Sequence, residues 1–390
     1  MSDIFESKWG ETKQALTEGL TGNKKKTMDV VLENTKRYLA EQSTAGATSA
    51  GNVATLNRVI LPVIRRVMPT VIANEIVGVQ PMTGPVGQIH TLRIRYADTV
   101  ASNTTAGEEA LSPFKIAKAY SGNQNNTTPK AASTASLEGT PGKRLSIQIL
   151  KQPVEAKSRK LSARWTFEAA QDAQAQQGID VEAEIMAALA QEITAEIDQE
   201  ILLSLRTLAA TEFTYNQAAV SGTATFVGDE HAALAVLINR TANLIAQRTR
   251  RGAGNYAVVS PASLTVLQSA TTSAFARTTE GTFEAPTNTK FVGTLNNSMR
   301  VYVDGYAATG TDVLVGYKGA SEADAPAFYC PYIPLMSSGV VLDPATFEPV
   351  VGFLTRYGYV ELTNTASSLG NAADYVGLVG MNSGTNLKFK

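Results

Sequence analysis

Two histidines and one cysteine, set among 35 acidic and 34 basic side chains, are the residues in this 390-residue chain that invite a chemical reading. Zinc would ask for histidines and thiolates spaced on short turns, and an acyl-transfer site for a nucleophile with a base beside it. His90 falls on an alternating segment and His231 at the start of a helical one, neither near Cys330 or a carboxylate pair. Both read as structural side chains. The sequence holds no nucleophile elbow, no Walker-type phosphate loop and no dinucleotide fingerprint. The run Arg248-Thr249-Arg250-Arg251-Gly252 could draw a phosphate, but a basic helix C-terminus ended by a glycine accounts for it equally well. No cofactor or metal is expected, and the chain does not read as an enzyme.

Charge placement is more informative. Lys143, Arg144, Lys151, Lys157, Arg159, Lys160 and Arg164 stand against a single acid, Glu155. Further on, Glu192, Glu196, Asp198 and Glu200 appear with no base until Arg206. The chemistry these two stretches offer is ion pairing between elements, within one chain or between copies of it.

The acidic stretch lies on Gly178–Ala210, GIDVEAEIMAALAQEITAEIDQEILLSLRTLAA, which has no proline and no internal glycine. Good helix formers dominate it, Asp180 can cap its start, and Glu182 and Glu184 suit the positive end of the dipole. Such a helix is about 45 Å long. Its apolar row, Ile185, Leu189, Ile193, Ile197, Ile201 and Leu205, repeats every four residues. At about 100° per residue that row drifts round the helix, so the two ends pack against different partners. The four acids are expected on the opposite, solvated face, as an edge open to a basic partner.

The basic stretch belongs to an excursion. Gln88–Tyr96 alternates as a half-buried strand. Residues 98–142 are rich in Thr, Ser, Ala, Asn and Gly and promise no core of their own. The chain then returns through 144–165, giving a two-stranded arm, out at 88–97 and back at 144–165. Before the arm, residues 1–41 predict two short amphipathic helices separated at Gly22-Asn23. The second is marked by Met28, Val31, Leu32, Thr35, Tyr38 and Leu39. Residues 42–55 have the small, uncharged composition of a linker, and Pro62 and Pro69 break the apolar run after it into short helical pieces.

Beyond the long helix, Asp229–Thr249 predicts another amphipathic helix and Tyr256–Val259 a buried strand. Ser260-Pro261 then starts a helix, as cap and first residue. Strand signals recur at 300–303, 313–317 and 327–329, so a mixed α/β subdomain is expected, with further strands from Val350.

The whole chain, 44% hydrophobic, 18% charged and of net charge −1, fits a folded α+β protein of two or three subdomains. It argues against a strong field toward nucleic acid or a membrane. A lone cysteine excludes an internal disulfide framework and fits a reducing compartment. The N-terminus MSDIFESKWGE is no signal peptide, and no stretch is apolar enough to span a bilayer; a soluble intracellular product is expected.

Several separate, colinear strings are similar to one family. They are RVMPTVIANEIVGVQPMTGPVGQIHTLRIRYA, LSARWTFEAAQDAQAQQGIDVEAEIMAALAQEITAEIDQEIL, INRTANLIAQRTRRGAGNYAVVSP, VGTLNNSMRVYVDGYA, GYKGASEADAPAFYCPYIPL and DPATFEPVVGFLTRYG. Together they resemble the major capsid proteins of T-even-type, contractile-tailed bacteriophages. That resemblance implies the HK-97-like capsid fold: an N-terminal arm, an extended loop, a peripheral domain with a long spine helix, and an axial domain. Placed on this chain, residues 1–41 are a propeptide-like scaffolding segment and 42–87 the N-terminal arm and entry to the peripheral domain. Residues 88–165 are the extended loop, 166–224 the peripheral domain with its spine, 225–330 the axial domain, and 331–390 the return to the peripheral domain. Relatives carry a large inserted domain in the extended loop, whereas here that place holds only 98–142.

The function implied is a hexamer-forming shell subunit of an icosahedral or prolate head around double-stranded DNA, present in the virion and assembled in the bacterial cytoplasm. A pentameric vertex protein of the same family and an encapsulin-type compartment are the alternatives. Implied partners are the chain itself, vertex, portal and scaffolding proteins, a prohead protease, and DNA held by weak non-specific contact, with no membrane. Two sites are expected. The bases Lys157, Arg159 and Lys160 meet Glu192, Glu196 and Glu200 of a neighbour's spine helix. The prohead protease cuts after Glu41. Family proteases cut after a glutamate with Leu or Ile two residues before it. Of the 23 glutamates, Glu6, Glu18 and Glu41 qualify. The triplet Leu39-Ala40-Glu41 directly precedes the linker, where extended backbone is open to a protease.

Overall fold

The computed structural model describes residues 22–44, 72–100, 131–177, 180–216, 227–270, 289–363 and 371–381, apart from single positions within them. It also describes 13–14, 17, 104–108, 110, 120–122 and 275–277. The expected linker beyond Thr44, the pieces around Pro62 and Pro69, all of the first short helix but Lys13, Gln14 and Thr17, and most of 98–142 lie outside the described residues.

The chain begins with an N-terminal helix, Gly22–Thr44. Gly22 and the three lysines open this helix, and Lys13, Gln14 and Thr17 ahead of it are helical too; the residues that join them lie outside the described ones. After a short turn of helix at Ala73–Ile76 come strand β1 (Gly78–Val79), β2 (Val86–Tyr96), β3 (Leu145–Glu155) and β4 (Lys157–Arg164). The long helix Val181–Leu208 follows, then β5 (Thr211–Tyr215) and the helix Val227–Thr249. Strand β6 (Tyr256–Val259) leads to the helix Pro261–Gln268 and to β7 (Phe275–Arg277), β8 (Thr289–Leu295), β9 (Met299–Asp304) and β10 (Val313–Gly316). The strands β11 (Ala327–Leu342), β12 (Pro349–Glu361) and β13 (Val376–Met381) follow, and the short helices Thr134–Leu137 and Phe167–Gln177 with the 3-10 turn Ala372–Tyr375 complete the described elements.

The long helix forms where its residues dictate. Asp180 accepts hydrogen bonds from the Glu182 and Ala183 amides at 3.1 and 3.4 Å, satisfying first-turn donors. Leu189, Ile193, Ile197, Ile201 and Leu205 are buried. They form one core with Ile72 and Ile76, with Tyr329, Phe353 and Tyr357 of one sheet, and with Tyr256, Tyr302 and Leu314 of another. One helix thus spans two sheets, as the drift of its apolar row predicts.

The first sheet runs β1-β11-β12-β4 and the second β5-β13-β10-β6-β9-β8-β7. In the second, Tyr256 and Val258 face the core shared with the long helix. Ala257 and Val259 point to the other side, under the helices Val227–Thr249 and Pro261–Gln268. The period of two therefore gives a strand buried on both faces. The Ser260 side chain caps the second helix by accepting the Ser263 amide, and Pro261 occupies its first turn. The α+β class is as expected, with three corrections.

The returning arm strand is not continuous. β2 and β3 pair as a two-stranded ribbon, but after Ala156 the chain leaves the ribbon and β4 pairs with β12 in the first sheet. Second, residues 331–390 were expected as the return to the peripheral domain, and their strands divide between the two sheets. The first sheet takes β11 from Ala327, and β13 returns to the second sheet between β5 and β10. Third, the excursion does have a small core: Tyr96, Val100, Ala110 and Tyr120 are buried together, the two tyrosine rings 4.6 Å apart. The Tyr120 hydroxyl donates to the Arg144 carbonyl at 2.6 Å. Four apolar residues spread over 25 positions leave no periodic signal.

Candidate assembly surfaces

Because β4 lies beside β12, its Arg159 faces the long helix of the same chain. Arg159 donates to Glu196 at 2.6 Å and to Glu200 at 2.5 Å, while its Nε donates to the Tyr357 hydroxyl at 2.6 Å. Tyr357 in turn donates to Glu200. This is a forked, charge-assisted cluster of the kind guanidinium geometry favours. Partial burial works against both charges, yet the hydrogen bonds from Arg159 and Tyr357 hold the Glu200 carboxyl below its usual range. Arg159 is likewise pushed up, against its own desolvation, by Glu200 and Tyr357. The pairing expected between Arg159 and a neighbour's Glu196 and Glu200 is therefore met inside one chain. The reason is the register Arg159↔Thr355, which sets β4 against the helix. Lys157, Lys160 and Glu192 are exposed.

Asp198 departs further from expectation. It is buried, not solvated, and its Oδ1 accepts the Ile72 amide at 2.9 Å. Burial, with nearby Asp304 adding to it, pushes its carboxyl up to about 7. Asp304 is itself buried and accepts from Gln199 at 2.8 Å and Arg206 at 3.1 Å. The sequence did hold a signal: Ala190, Thr194, Asp198 and Leu202 form a second row at a spacing of four, and all are buried. Tyr357, which completes the Arg159 cluster, carried no such mark.

Among the described residues the ribbon carries an exposed apolar face. In the register Leu92↔Ile149, Ile94↔Ile147 and Tyr96↔Leu145, six apolar residues share one face. Leu92, Ile147 and Ile149 are 63%, 68% and 59% exposed, and Leu145 is exposed with them. On the opposite face Arg93 and Arg95 are buried. An apolar stripe of this kind on a folded chain marks a contact surface.

The remaining candidates settle into structural places. The His231 ring lies 2.5 Å from the Ser269 hydroxyl in a buried position, and His90 is exposed on the ribbon opposite Lys151. Cys330 is buried at the root of the ribbon, where burial pushes its thiol up to about 12. Arg248 pairs with Glu212, and Arg251 with Asp324 at 2.5 Å, so both arginines are committed to carboxylates; Arg250 lies outside the described residues. Leu39, Ala40 and Glu41 lie within the N-terminal helix, whose last residue is Thr44. The expected cleavage point is therefore helical, not extended. Among the described residues no helix is long and apolar enough to cross a membrane.

A chain with a ribbon finished on one face only, and a long helix joining two sheets, has the parts expected of an HK-97-type shell subunit. Residues 53–381 match the family model of the major capsid protein Gp23. The chain belongs to that family. It is 31% identical to the major capsid protein of Escherichia phage AR1, over 82% of this chain and 78% of that one. It is 29% identical to that of Vibrio phage KVP40, over 87% and 83% respectively. Among solved structures it is similar to a chain of the bacteriophage PhiM1 mature capsid, with 12% identity, 79% of this chain and 84% of that one covered, and a TM-score of 0.45. The chain is thus a major capsid protein of a tailed phage, and it forms the capsid of the virion.

Proposed function

We propose that copies of this chain join head to tail into hexameric capsomers that tile an icosahedral or prolate head around double-stranded DNA. The exposed apolar stripe of the ribbon carries this reading. Leu92, Ile147 and Ile149 find no cover among the described residues of their own chain, and a contact that uses different surfaces on the two partners closes into rings when the rotation permits. Burying each of these side chains on a neighbour contributes about 1.5–3 kcal/mol. Exposed Lys160 and Glu192, with Lys157 near Glu200 of its own chain, can set the register of that contact across subunits, each pair contributing about 0–1 kcal/mol. A net charge of −1 suits a container that holds DNA by weak, non-specific contact. The subunit acts as a building block and not as an enzyme, and portal, vertex and scaffolding proteins are its further partners.

The same reading has a prohead protease cut after Glu41. Since Leu39–Glu41 is helical, the end of the N-terminal helix must unwind before an extended-substrate protease can engage it. N-terminal analysis of chains from mature particles tests the cut: a chain beginning at Gln42 supports it, and one that retains Ser2 defeats it. For assembly, the test is the Ile147→Ser/Ile149→Ser pair, followed by sedimentation and negative-stain microscopy. Wild-type protein should give six-fold rings or shells, and the variant folded, unassembled chains. Five-fold rings would point to the vertex paralogue.

A further inference from the structure

The N-terminal helix is seated on the body of its own chain in a specific way. Met28, Val31 and Leu32 are buried, so its apolar face packs on the body over these positions. Ten residues apart, about 15 Å along the helix, it makes two polar contacts with different parts of the molecule. Lys24 pairs at 3.0 Å with Glu75, which also holds Arg300 of β9 at 2.8 Å and the Tyr302 hydroxyl at 3.3 Å. That end of the helix is therefore tied to the second sheet. Asn34, also buried, donates its side-chain amide to the Met82 carbonyl at 2.7 Å and to the Tyr332 carbonyl at 3.0 Å. Two carbonyl acceptors use both N–H groups of one amide and fix which way it faces.

The two carbonyls belong to the root of the ribbon. Met82 packs with Val154 of β3, with Phe328 and Cys330 of β11, and against Ile89, Ala156 and Tyr332. Ala156 is the one residue between β3 and β4, and its amide donates to the Pro85 carbonyl at 2.9 Å. At the same root a Cβ on Gly358 would stand 2.4 Å from Val154, so the packing there admits only glycine. The ribbon therefore pivots on a small, tight cluster, and Asn34 grips that cluster from outside the two strands.

We infer that the N-terminal helix is a strut that locks the angle of the ribbon relative to the second sheet, with Asn34 as its grip and Lys24–Glu75 as its far anchor. While the helix is seated the ribbon root is held; when the helix leaves, the root loosens although no residue of the ribbon has changed. This rests on the contacts within one chain and not on where, or whether, the chain is cut.

Hydrogen exchange on the full, unassembled chain tests it. In Asn34→Ala, losing a buried donor to two backbone acceptors should raise exchange about tenfold in the N-terminal helix and, together with it, in residues 82–92 and 149–156. Residues 256–259 and 313–316, deep in the second sheet, should keep wild-type protection. Asn34→Leu preserves the volume and removes only the amide, so it should show the same pattern should the alanine variant fold poorly. The inference is overturned if the helix loosens while the ribbon root stays protected, or if neither changes. It is equally overturned if the second sheet loses protection to the same extent in both variants, because the effect is then fold-wide and not a grip on the root.

Discussion

In the seven-stranded sheet, Tyr256 and Val258 enter one core and Ala257 and Val259 another, both supplied by this chain. In the ribbon, Arg93 and Arg95 are buried while Leu92, Ile147 and Ile149 on the other face meet water. Both follow the same two-residue alternation, so strand chemistry does not separate them. What separates them is whether the chain brings its own cover. Helices lie on both sides of the sheet, whereas Leu92, Ile147 and Ile149 of the ribbon are exposed. Apolar side chains therefore mean stability in one region and, on the proposed function, association in the other.

That contrast can be broken most strongly at the ribbon. Ile147→Ser with Ile149→Ser should remove about 3–6 kcal/mol per contact between copies yet leave the urea midpoint of the unassembled chain unmoved. A midpoint that drops as far as assembly does would show that the stripe is covered from within. Leu314→Ala should do the reverse, lowering the stability of the unassembled chain by about 2–5 kcal/mol, because Leu314 is fully buried. Urea unfolding reads it directly.

Asp198 sharpens the comparison through pH. Its folded carboxyl titrates at about 7, above its ordinary value. The folded chain therefore holds a proton that the unfolded chain has released, and this contribution to stability is present below pH 4 and lost as pH rises through about 7. Asp198→Asn removes that slope and can still accept the Ile72 amide. Its stability relative to the wild type should rise between pH 4 and 7 and level off above. Parallel curves from urea unfolding across that range would contradict the burial argument. The smallest effect is expected at Arg159→Ala, roughly 1 kcal/mol, since its partners are partly exposed and screened. Glu200 is held below its ordinary value, so the wild-type advantage is present above pH 4.5 and lost on acidification.

These outcomes also mark what could be read from residues alone. Local signals held: Asp180 as a cap, Ser260-Pro261 as a helix start, the four-residue row of the long helix and the alternation of β2. The charged side chains Arg159, Glu196 and Glu200 were individually legible as ion-pair formers. Their partnership within one chain was not, because it depends on β4 crossing from the ribbon to β12, a pairing of residues nearly 200 apart. The N-terminal helix was legible as amphipathic from Met28, Val31 and Leu32, but nothing in its spacing told that Asn34 would find two backbone carbonyls. Asp198 was misread for a simpler reason: an acid amid acids reads as solvated, although its row of four was visible.

The place of β13 has a consequence for synthesis. It lies between β5 and β10, pairing with residues that precede it by more than 160 and by at least 60 positions respectively. On the ribosome, β5 has nothing to join and β10 ends in an open edge until residue 381 has been made. At about 5–20 residues per second the chain spends roughly 3–13 s in that state after β10 emerges. Non-local pairing of this kind is intrinsically slow. It also orders events, since a subunit cannot offer a finished second sheet to a growing shell while it is still being translated.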